Sequence, residues 1–374
     1  MRRPADDDAT VRLARPATGA PRPAAARSRS GRWIAAAAAA LLALAGGGAW
    51  LWLERSAPVP PVAEAPAPAP PRADPSRLAD VATILANRAT ALTVFRLADN
   101  PRILVLDFPT LAEQGRMLNR VAALVEKAGL PRDRVLTDAE LAAAIAERGE
   151  TAETFYFGHN YRSADLVRFF ALAARDGIAL NTEERQLAAL LVETGLATPG
   201  PDGRLRPQAE TAVVSLAAAD QPGRGAAGRV AIDPAVRAAI LRHELSHGEF
   251  FTNPAFAAHV ARWWRERLSE PERAAFRRFL AADGYDPAIE DVMMNEAMAY
   301  LMHTPDPRFF GAAALGVSAE ALEDMRRRFR EGLPETWLTR TWPRRRRQRS
   351  ATSTIRTWAA TRPARPRRSR SAAR

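Results

Sequence analysis

The uncharged stretch Trp33–Leu53 constrains the fold most strongly, because a segment this long and apolar can place the residues before it and after it on opposite sides of a membrane. None of its 21 residues is charged, and charged residues flank it on both sides. At about 1.5 Å per residue, a helix of this length spans a bilayer core of about 30 Å. Tryptophans lie near both of its ends, as is typical of the membrane interface. The sequence therefore predicts one transmembrane helix ahead of the globular part.

This segment has two interpretations, a permanent signal anchor or a cleaved signal peptide with Ile34–Ala45 as its apolar core. We favour the anchor, because apolar residues continue past the glycine run to Leu53. Both interpretations leave the arginine-rich residues 1–32 in the cytoplasm and place the remainder outside it. The composition suggests a bacterial chain, so we expect a single-pass protein of the inner membrane with a periplasmic or extracellular domain.

The net charge of +12 is concentrated at the two ends of the chain. Residues 341–374 contain twelve arginines and no acidic residue, and residues 1–32 carry a net charge of +5. The remaining residues therefore carry a net charge of −5, and we expect no nucleic-acid partner. The C-terminal tail has three interpretations: it binds an anionic surface, it has no function, or it results from a shifted reading frame.

Composition divides the rest of the chain into four regions. Residues 1–32 and 341–374 are predicted to be disordered tails. Residues 54–75 are predicted to be a linker, since Ser56–Pro75 holds eight prolines in twenty residues and cannot pack a core. Residues 76–340 are predicted to be the globular domain. The chain has no cysteine, which excludes disulfides, thiol nucleophiles and cysteine-bound metals.

Hydrophobic periodicity predicts an α+β domain in which helices dominate and the sheet is small. The predicted helices are Arg77–Leu97, Thr110–Ala128, Asp138–Arg148, Ser163–Arg175, Thr182–Thr194 and most of the chain from Pro234 onward. The predicted strands are Ile103–Phe108, Thr211–Ala217 and Arg229–Ile232. We expect the last two to form a hairpin, with one of them available as an edge that an extended substrate could join.

The sequence His243-Glu244-Leu245-Ser246-His247 lies within a predicted helix that begins at Pro234. Residues four apart lie on one face of a helix, so both imidazoles can point at one metal ion. Glu244 lies beside that face and can reach a water on the metal without being a ligand. The apolar flanks of the motif predict that the helix is buried, where polar side chains need partners.

A catalytic zinc site also needs a third protein ligand, and Glu296 is our prediction for it. It lies in the predicted helix Ile289–Thr304 among methionines, and a buried glutamate in such company is costly unless it is paired or metal-bound. Asp291 and Glu290 are the fallback ligands. Two other histidines, His159 in an aromatic loop and His259, are predicted to be structural.

The segments HELSH at 243–247 and NEAMAY at 295–300 resemble the gluzincin group of zinc metallopeptidases. The resemblance covers about sixty residues and implies a zincin-like domain with His243, His247 and Glu296 as Zn²⁺ ligands and Glu244 as general base. Many thermolysin-like members have aspartate four residues after the ligand glutamate, where this chain has Tyr300. The support of the zinc histidines therefore falls to Tyr300 itself, Asp291, Asn295 or another group, and a close thermolysin relative is not expected.

The resemblance implies hydrolysis of peptide bonds, with Glu244 taking a proton from the attacking water and passing it to the leaving amine. The oxyanion that forms needs a further donor. Tyr300 and His303 are the candidates, because α-helical spacing places both on the face of Glu296. The predicted function is that of a membrane-anchored zinc peptidase with a peptide or protein substrate. The alternatives are a non-catalytic envelope scaffold and a zinc amidase acting on cell-wall peptides.

Overall fold

A computed structural model describes residues 74–219 and 232–341. These residues form an α+β fold in which helices dominate and surround a small mixed sheet, as predicted. The expected transmembrane segment Trp33–Leu53, both tails and most of the linker lie outside the described residues. Within the two described ranges, no helix combines the length and apolar character that a membrane crossing requires.

Seven strands form two sheets in the described residues. The strands are β1 (Arg77–Ala79), β2 (Thr93–Leu97), β3 (Ile103–Phe108), β4 (His159–Arg162), β5 (Ala197–Pro199), β6 (Leu205–Pro207) and β7 (Ala212–Ala217). Five of them form the main sheet in the order β1-β2-β3-β7-β4, and β5 and β6 form a separate hairpin. The strands β1 and β2 are parallel, as are β3 and β7, whereas β2 is antiparallel to β3 and β4 is antiparallel to β7.

Helices cover both faces of the sheet, and two of them continue into a π turn. The helices are α1 (Val81–Ala86), α2 (Leu111–Val125), α3 (Asp138–Glu147), α4 (Ser163–Arg175), α5 (Thr182–Glu193), α6 (Pro234–Thr252), α7 (Pro254–Arg262), α8 (Glu270–Ala282), α9 (Glu290–Met298), α10 (Ala312–Leu315), α11 (Ala319–Arg330) and α12 (Trp337–Thr341). The π turns are Trp263–Arg267 after α7 and Ala299–His303 after α9.

The central strand β3 separates two hydrophobic cores. Ile103 and Val105 pack into the core that contains α6 and the later helices. Leu104 and Leu106 point the other way, into the core that contains α2, α4 and α5. Because both faces of the strand are buried, its sequence is a nearly unbroken apolar run, which made it predictable.

The predicted helix Arg77–Leu97 is wrong. This segment contains strand β1, the six-residue helix α1 and strand β2. Asp80 caps the start of α1 by accepting a hydrogen bond from the backbone N–H of Thr83. Residues 93–96 then pair with the following strand β3 as a hairpin, and this pairing outweighs the helical periodicity that the sequence suggested.

The expected edge strand is also corrected. Thr211–Ala217 corresponds to β7, which lies inside the sheet between β3 and β4 and so offers no free edge. Its expected hairpin partner, Arg229–Ile232, lies almost wholly outside the described residues. Among the described strands, β4 pairs only with β7, so the free edge on this side of the sheet belongs to β4.

A buried ion pair fixes the long helix α6 against the sheet. Both guanidinium nitrogens of Arg237 bond to the carboxylate of Asp107 on β3, at 2.9 and 2.8 Å. Arg237 also donates to the backbone carbonyls of Ala217 and Ile84, and Asn87 donates to Asp107. These partners compensate for much of the cost of burying the two charges, and they set the position of α6.

Candidate metal centre

Helix α6 carries both histidines of the HELSH motif on one buried face. The helix begins where predicted, because Asp233 accepts a hydrogen bond from the backbone N–H of Val236 and Pro234 occupies the first turn. His243 and His247 are one turn apart, with ring centroids 4.7 Å from each other. His247 is fully buried and His243 is 8% exposed.

Glu296 reaches both imidazoles from α9. Its two carboxylate oxygens lie 3.4 Å from His243 Nε2 and 3.5 Å from His247 Nε2. These separations exceed the usual 2.7–3.2 Å of a hydrogen bond. The two distances run to different oxygens of Glu296, and one ligand atom from each of the three residues lies within 4.8 Å of the others. Two atoms that ligate a tetrahedral ion at about 2.1 Å lie about 3.4 Å apart, which is the scale of both distances.

Two polar atoms of this group, His247 Nε2 and Glu296 Oε2, are buried without a hydrogen bond. Buried polar atoms are normally bonded, so this pair of unbonded atoms indicates a missing ligand. The three residues could bind a metal ion, and in residues 74–219 and 232–341 they are the one group of histidine and acidic side chains with this geometry.

Burial keeps both histidines in the form that binds metal. In the metal-free protein, removal from water lowers the pKa of His243 and of His247 to about 4. At neutral pH each imidazole is therefore uncharged and has one nitrogen lone pair to offer. The same burial raises the pKa of Glu296, opposed in part by a hydrogen bond from Tyr285.

Glu244 lies against the start of β4, beside the metal group. Asn160 donates a hydrogen bond of 3.0 Å to its Oε2. Gly158 leaves room for the carboxylate: a Cβ at that position would lie 2.3 Å from Oε1 of Glu244. The glutamate is 5% exposed, and burial together with the charges of Glu296 and Glu126 raises its pKa well above the ordinary value. The carboxylate is therefore held as a base that binds a proton readily.

Asn160 and Gly158 support Glu244, and neither residue was predicted from the sequence to do so. They belong to the aromatic segment around His159, which we predicted to be a structural loop. His159 itself is structural, since its Nδ1 contacts Gln114 at 3.0 Å and Ser215 at 3.2 Å in the core on the far side of the sheet. Alternation along β4 turns Asn160 to the opposite face, toward α6. No local pattern reveals this contact, because 84 positions separate Asn160 from Glu244.

Tyr300 packs beside the metal group through its ring. The ring lies edge-on to His243, with centroids 4.8 Å apart. Its hydroxyl donates a hydrogen bond of 3.0 Å to Asp283 and is not directed at a histidine nitrogen. Burial and the charge of Asp283 raise the pKa of Tyr300 well above its ordinary value, so the phenol keeps its proton. A role for Tyr300 as oxyanion donor stays a prediction.

The predicted continuous helix Ile289–Thr304 ends early and becomes the π turn Ala299–His303. A π turn takes one residue more than an α turn, which rotates later side chains by about 100° relative to α-helical spacing. Thr304 consequently contacts His243 Nδ1 at 2.8 Å. His303 is buried with its Nδ1 unpaired, and burial lowers its pKa well below the ordinary value. A catalytic role for His303 stays a prediction.

The two fallback ligands, Asp291 and Glu290, and the histidine His259 bond to groups outside the metal group. Asp291 pairs with Arg162 at 2.9 Å. Glu290 pairs with Arg277 at 2.8 Å. His259 bonds through Nε2 to the backbone carbonyl of Phe329 at 2.7 Å, in agreement with its predicted structural role. Glu296 is the acidic residue that joins the two histidines.

A second buried carboxylate, Glu126, belongs to the surroundings of the site. It lies at the end of α2 and is 5% exposed. Burial and the charge of Glu296 raise its pKa to about 8, opposed by a hydrogen bond from Tyr156 and by the charge of Lys127. Glu126 is therefore largely protonated at neutral pH, which limits the negative charge around the metal group.

Comparison with models of known protein families, with curated proteins and with solved structures finds no match for this chain.

Proposed function

We propose that this protein is a zinc-dependent peptidase of the gluzincin type, anchored in the bacterial inner membrane by residues 33–53 and acting outside the cytoplasm. The observation that carries the proposal is the spacing of three ligand atoms from His243, His247 and Glu296 beside the supported carboxylate of Glu244. Two imidazoles and one carboxylate form a typical ligand set of a hydrolytic zinc site.

The side chains divide the chemistry among them. A bound Zn²⁺ would supply a Lewis acid that acidifies water and polarises the scissile carbonyl. Glu244 takes a proton from the attacking water and later donates it to the leaving amine nitrogen. Asn160 holds one oxygen of that carboxylate, which fixes its direction.

The proposed donors to the oxyanion are Tyr300 and His303. The ring of Tyr300 lies beside that of His243, and its hydroxyl would exchange its bond to Asp283 for one to the oxyanion. His303 is buried at the end of the π turn, with its Nδ1 unpaired.

The substrate that fits this site is an extended peptide. The free edge of β4 begins directly after Gly158 and carries Asn160 beside Glu244. An extended chain that pairs with this edge would bring a backbone carbonyl next to the general base. The linker 54–75 would hold the domain away from the membrane, and the arginine-rich tail is a proposed ligand for an anionic surface.

The test uses the purified full chain in detergent and compares it with Glu244→Gln. We expect about one zinc per chain in both proteins, because Glu244 is not a ligand. Hydrolysis of an unfolded protein substrate should fall by about 10²–10⁴-fold in the variant, the usual contribution of a general base. Glu266→Gln, at an exposed position, is the matched control and should keep full activity.

The alternatives give different outcomes in the same experiment. Zinc in the wild type with hydrolysis of peptidoglycan peptides instead of protein would make the protein a cell-wall amidase. Zinc without hydrolysis of either substrate would support a binding or scaffold role. Absence of zinc, or full activity in Glu244→Gln, would overturn the proposed mechanism.

A further inference from the structure

Thr304 makes two hydrogen bonds that together specify the protonation of His243. It is 4% exposed, and its Oγ1 lies 2.8 Å from His243 Nδ1 and 3.0 Å from the backbone carbonyl oxygen of Ala299. A hydroxyl group has one proton to donate, and a carbonyl oxygen can only accept. The hydroxyl of Thr304 therefore donates to Ala299, and it must accept its second bond from an Nδ1–H of His243.

This arrangement leaves the lone pair of His243 on Nε2. Nε2 is the atom that lies 3.4 Å from Glu296 in the metal group. The other tautomer would have a proton on Nε2, directed at the position of the ion, and could not ligate it. A hydrogen bond to the distal ring nitrogen also fixes the rotation of the imidazole, which improves its geometry as a ligand.

The π turn Ala299–His303 is what brings Thr304 to this position. With unbroken α-helical spacing, residue 303 would follow Glu296 and Tyr300 on the same face of the helix. The extra residue of the π turn moves residue 303 off this face and puts Thr304 there. The bond from Thr304 Oγ1 to the carbonyl five residues earlier closes the turn. The distortion of the helix thus has a local function in the metal group.

We propose that Thr304 is a positioning residue that fixes the tautomer and the ring orientation of His243 for metal binding. The inference rests on the proposed zinc site and adds a residue that the HELSH and NEAMAY segments do not include. The bond from Thr304 reaches His243 and not His247. Thr304 therefore acts on one of the two imidazoles.

The test compares Thr304→Val, which has a similar shape without the hydroxyl, with Thr304→Ser, which keeps it. Zinc affinity of the full chain is measured by competition with a chelating indicator. We expect Thr304→Val to weaken zinc binding by about 10–100-fold, as loss of an outer hydrogen bond to a metal ligand does, and Thr304→Ser to stay within about 3-fold of the wild type. Equal affinities in wild type and Thr304→Val, or equal losses in both variants, would overturn the proposal.

A second measurement determines the tautomer in the wild-type chain and uses a variant only to assign the signals. The imidazole ¹⁵N shifts of His243 in the metal-free full chain, assigned by their loss in His243→Gln, report the tautomer directly. The expected form has its proton on Nδ1, and a proton on Nε2 would overturn the proposal. A wild-type chain that binds no zinc would instead refute the zinc site, whereas the outcomes above refute only the role of Thr304.

Discussion

Replacing Gly158 by alanine should disable Glu244 by adding a single methyl group. The new Cβ would lie 2.3 Å from Oε1, 2.7 Å from Cδ and 2.8 Å from Cγ of Glu244. The φ angle of Gly158 is not in the positive range that favours glycine, so the backbone itself accepts alanine. The effect of the substitution therefore comes from the contact with Glu244 and not from backbone strain.

The magnitude follows from the distance that the carboxylate has to move. Oε1 must retreat by about 1.1 Å to reach the 3.4 Å at which ordinary contacts begin. A misplacement of about 1 Å at a reacting group costs about 10²-fold in rate. We therefore expect hydrolysis to fall by about 10²-fold, with the loss in Glu244→Gln as the upper limit. Overpacking should also destabilise the fold by about 1–3 kcal/mol.

The assay separates these effects by measuring activity, zinc content and thermal unfolding on the same preparations. Zinc content should be unchanged in Gly158→Ala, because neither Gly158 nor Glu244 is in the ligand group. Gly311→Ala is the matched control, since a Cβ there has no neighbour within 4 Å, and it should keep full activity. If Gly158→Ala is as active as the wild type while Glu244→Gln is inactive, the carboxylate does not act from its position against Gly158.

Three further predictions concern the metal, the buried ion pair and pH. His247→Gln should abolish zinc binding, as measured by elemental analysis. The control His259→Gln removes a buried imidazole outside the metal group and should still bind zinc. Zinc retained in His247→Gln would exclude this ligand set. Arg237→Met should lower the free energy of unfolding by about 3–5 kcal/mol, because it leaves the buried charge of Asp107 with the neutral Asn87 and no cation. Arg102→Met, at an exposed pair, should cost at most about 1 kcal/mol; chemical denaturation distinguishes these values, and equal losses would contradict the argument. Burial lowers the pKa of His159 from 6.5 to about 3. Below pH 6.5 the unfolded chain therefore binds a proton that the folded chain excludes, and the free energy of unfolding should fall as the pH drops toward 3. His159→Gln should flatten this dependence of the unfolding free energy on pH, and an unchanged slope would refute the assignment.

The elements that could be predicted from sequence are those whose partners lie nearby in the chain. Helix α6 has a local cap at Asp233, and strand β3 is apolar throughout because both its faces are buried. Glu296 was predictable as a partner of the two histidines, because a lone carboxylate among methionines requires compensation. In these cases the local pattern and the tertiary environment favour the same structure.

The failures have two causes, a competing local pairing and contacts between distant parts of the chain. The segment Arg77–Leu97 has helical periodicity, yet its end forms a hairpin with the following strand β3. The role of Asn160 depends on β4 lying beside α6, which no spacing in the sequence encodes. The contact of Thr304 with His243 depends on the π turn before it, and the apolar pattern of that helix does not reveal the extra residue.

The site therefore requires both halves of the described chain. The ligand atoms come from α6 and α9, which follow residue 232, whereas the residues that hold Glu244 come from the start of β4, which precedes residue 219. The ion pair between Arg237 and Asp107 joins the same two halves near the start of α6, ahead of the metal group. Because α6 contributes to both contacts, a change that shifts this helix along the sheet would separate Glu244, the proposed general base, from Asn160 while leaving the spacing of His243 and His247 intact. Loss of activity with retained zinc is thus the expected signature of damage at the interface between α6 and the sheet, and loss of zinc is that of damage between α6 and α9.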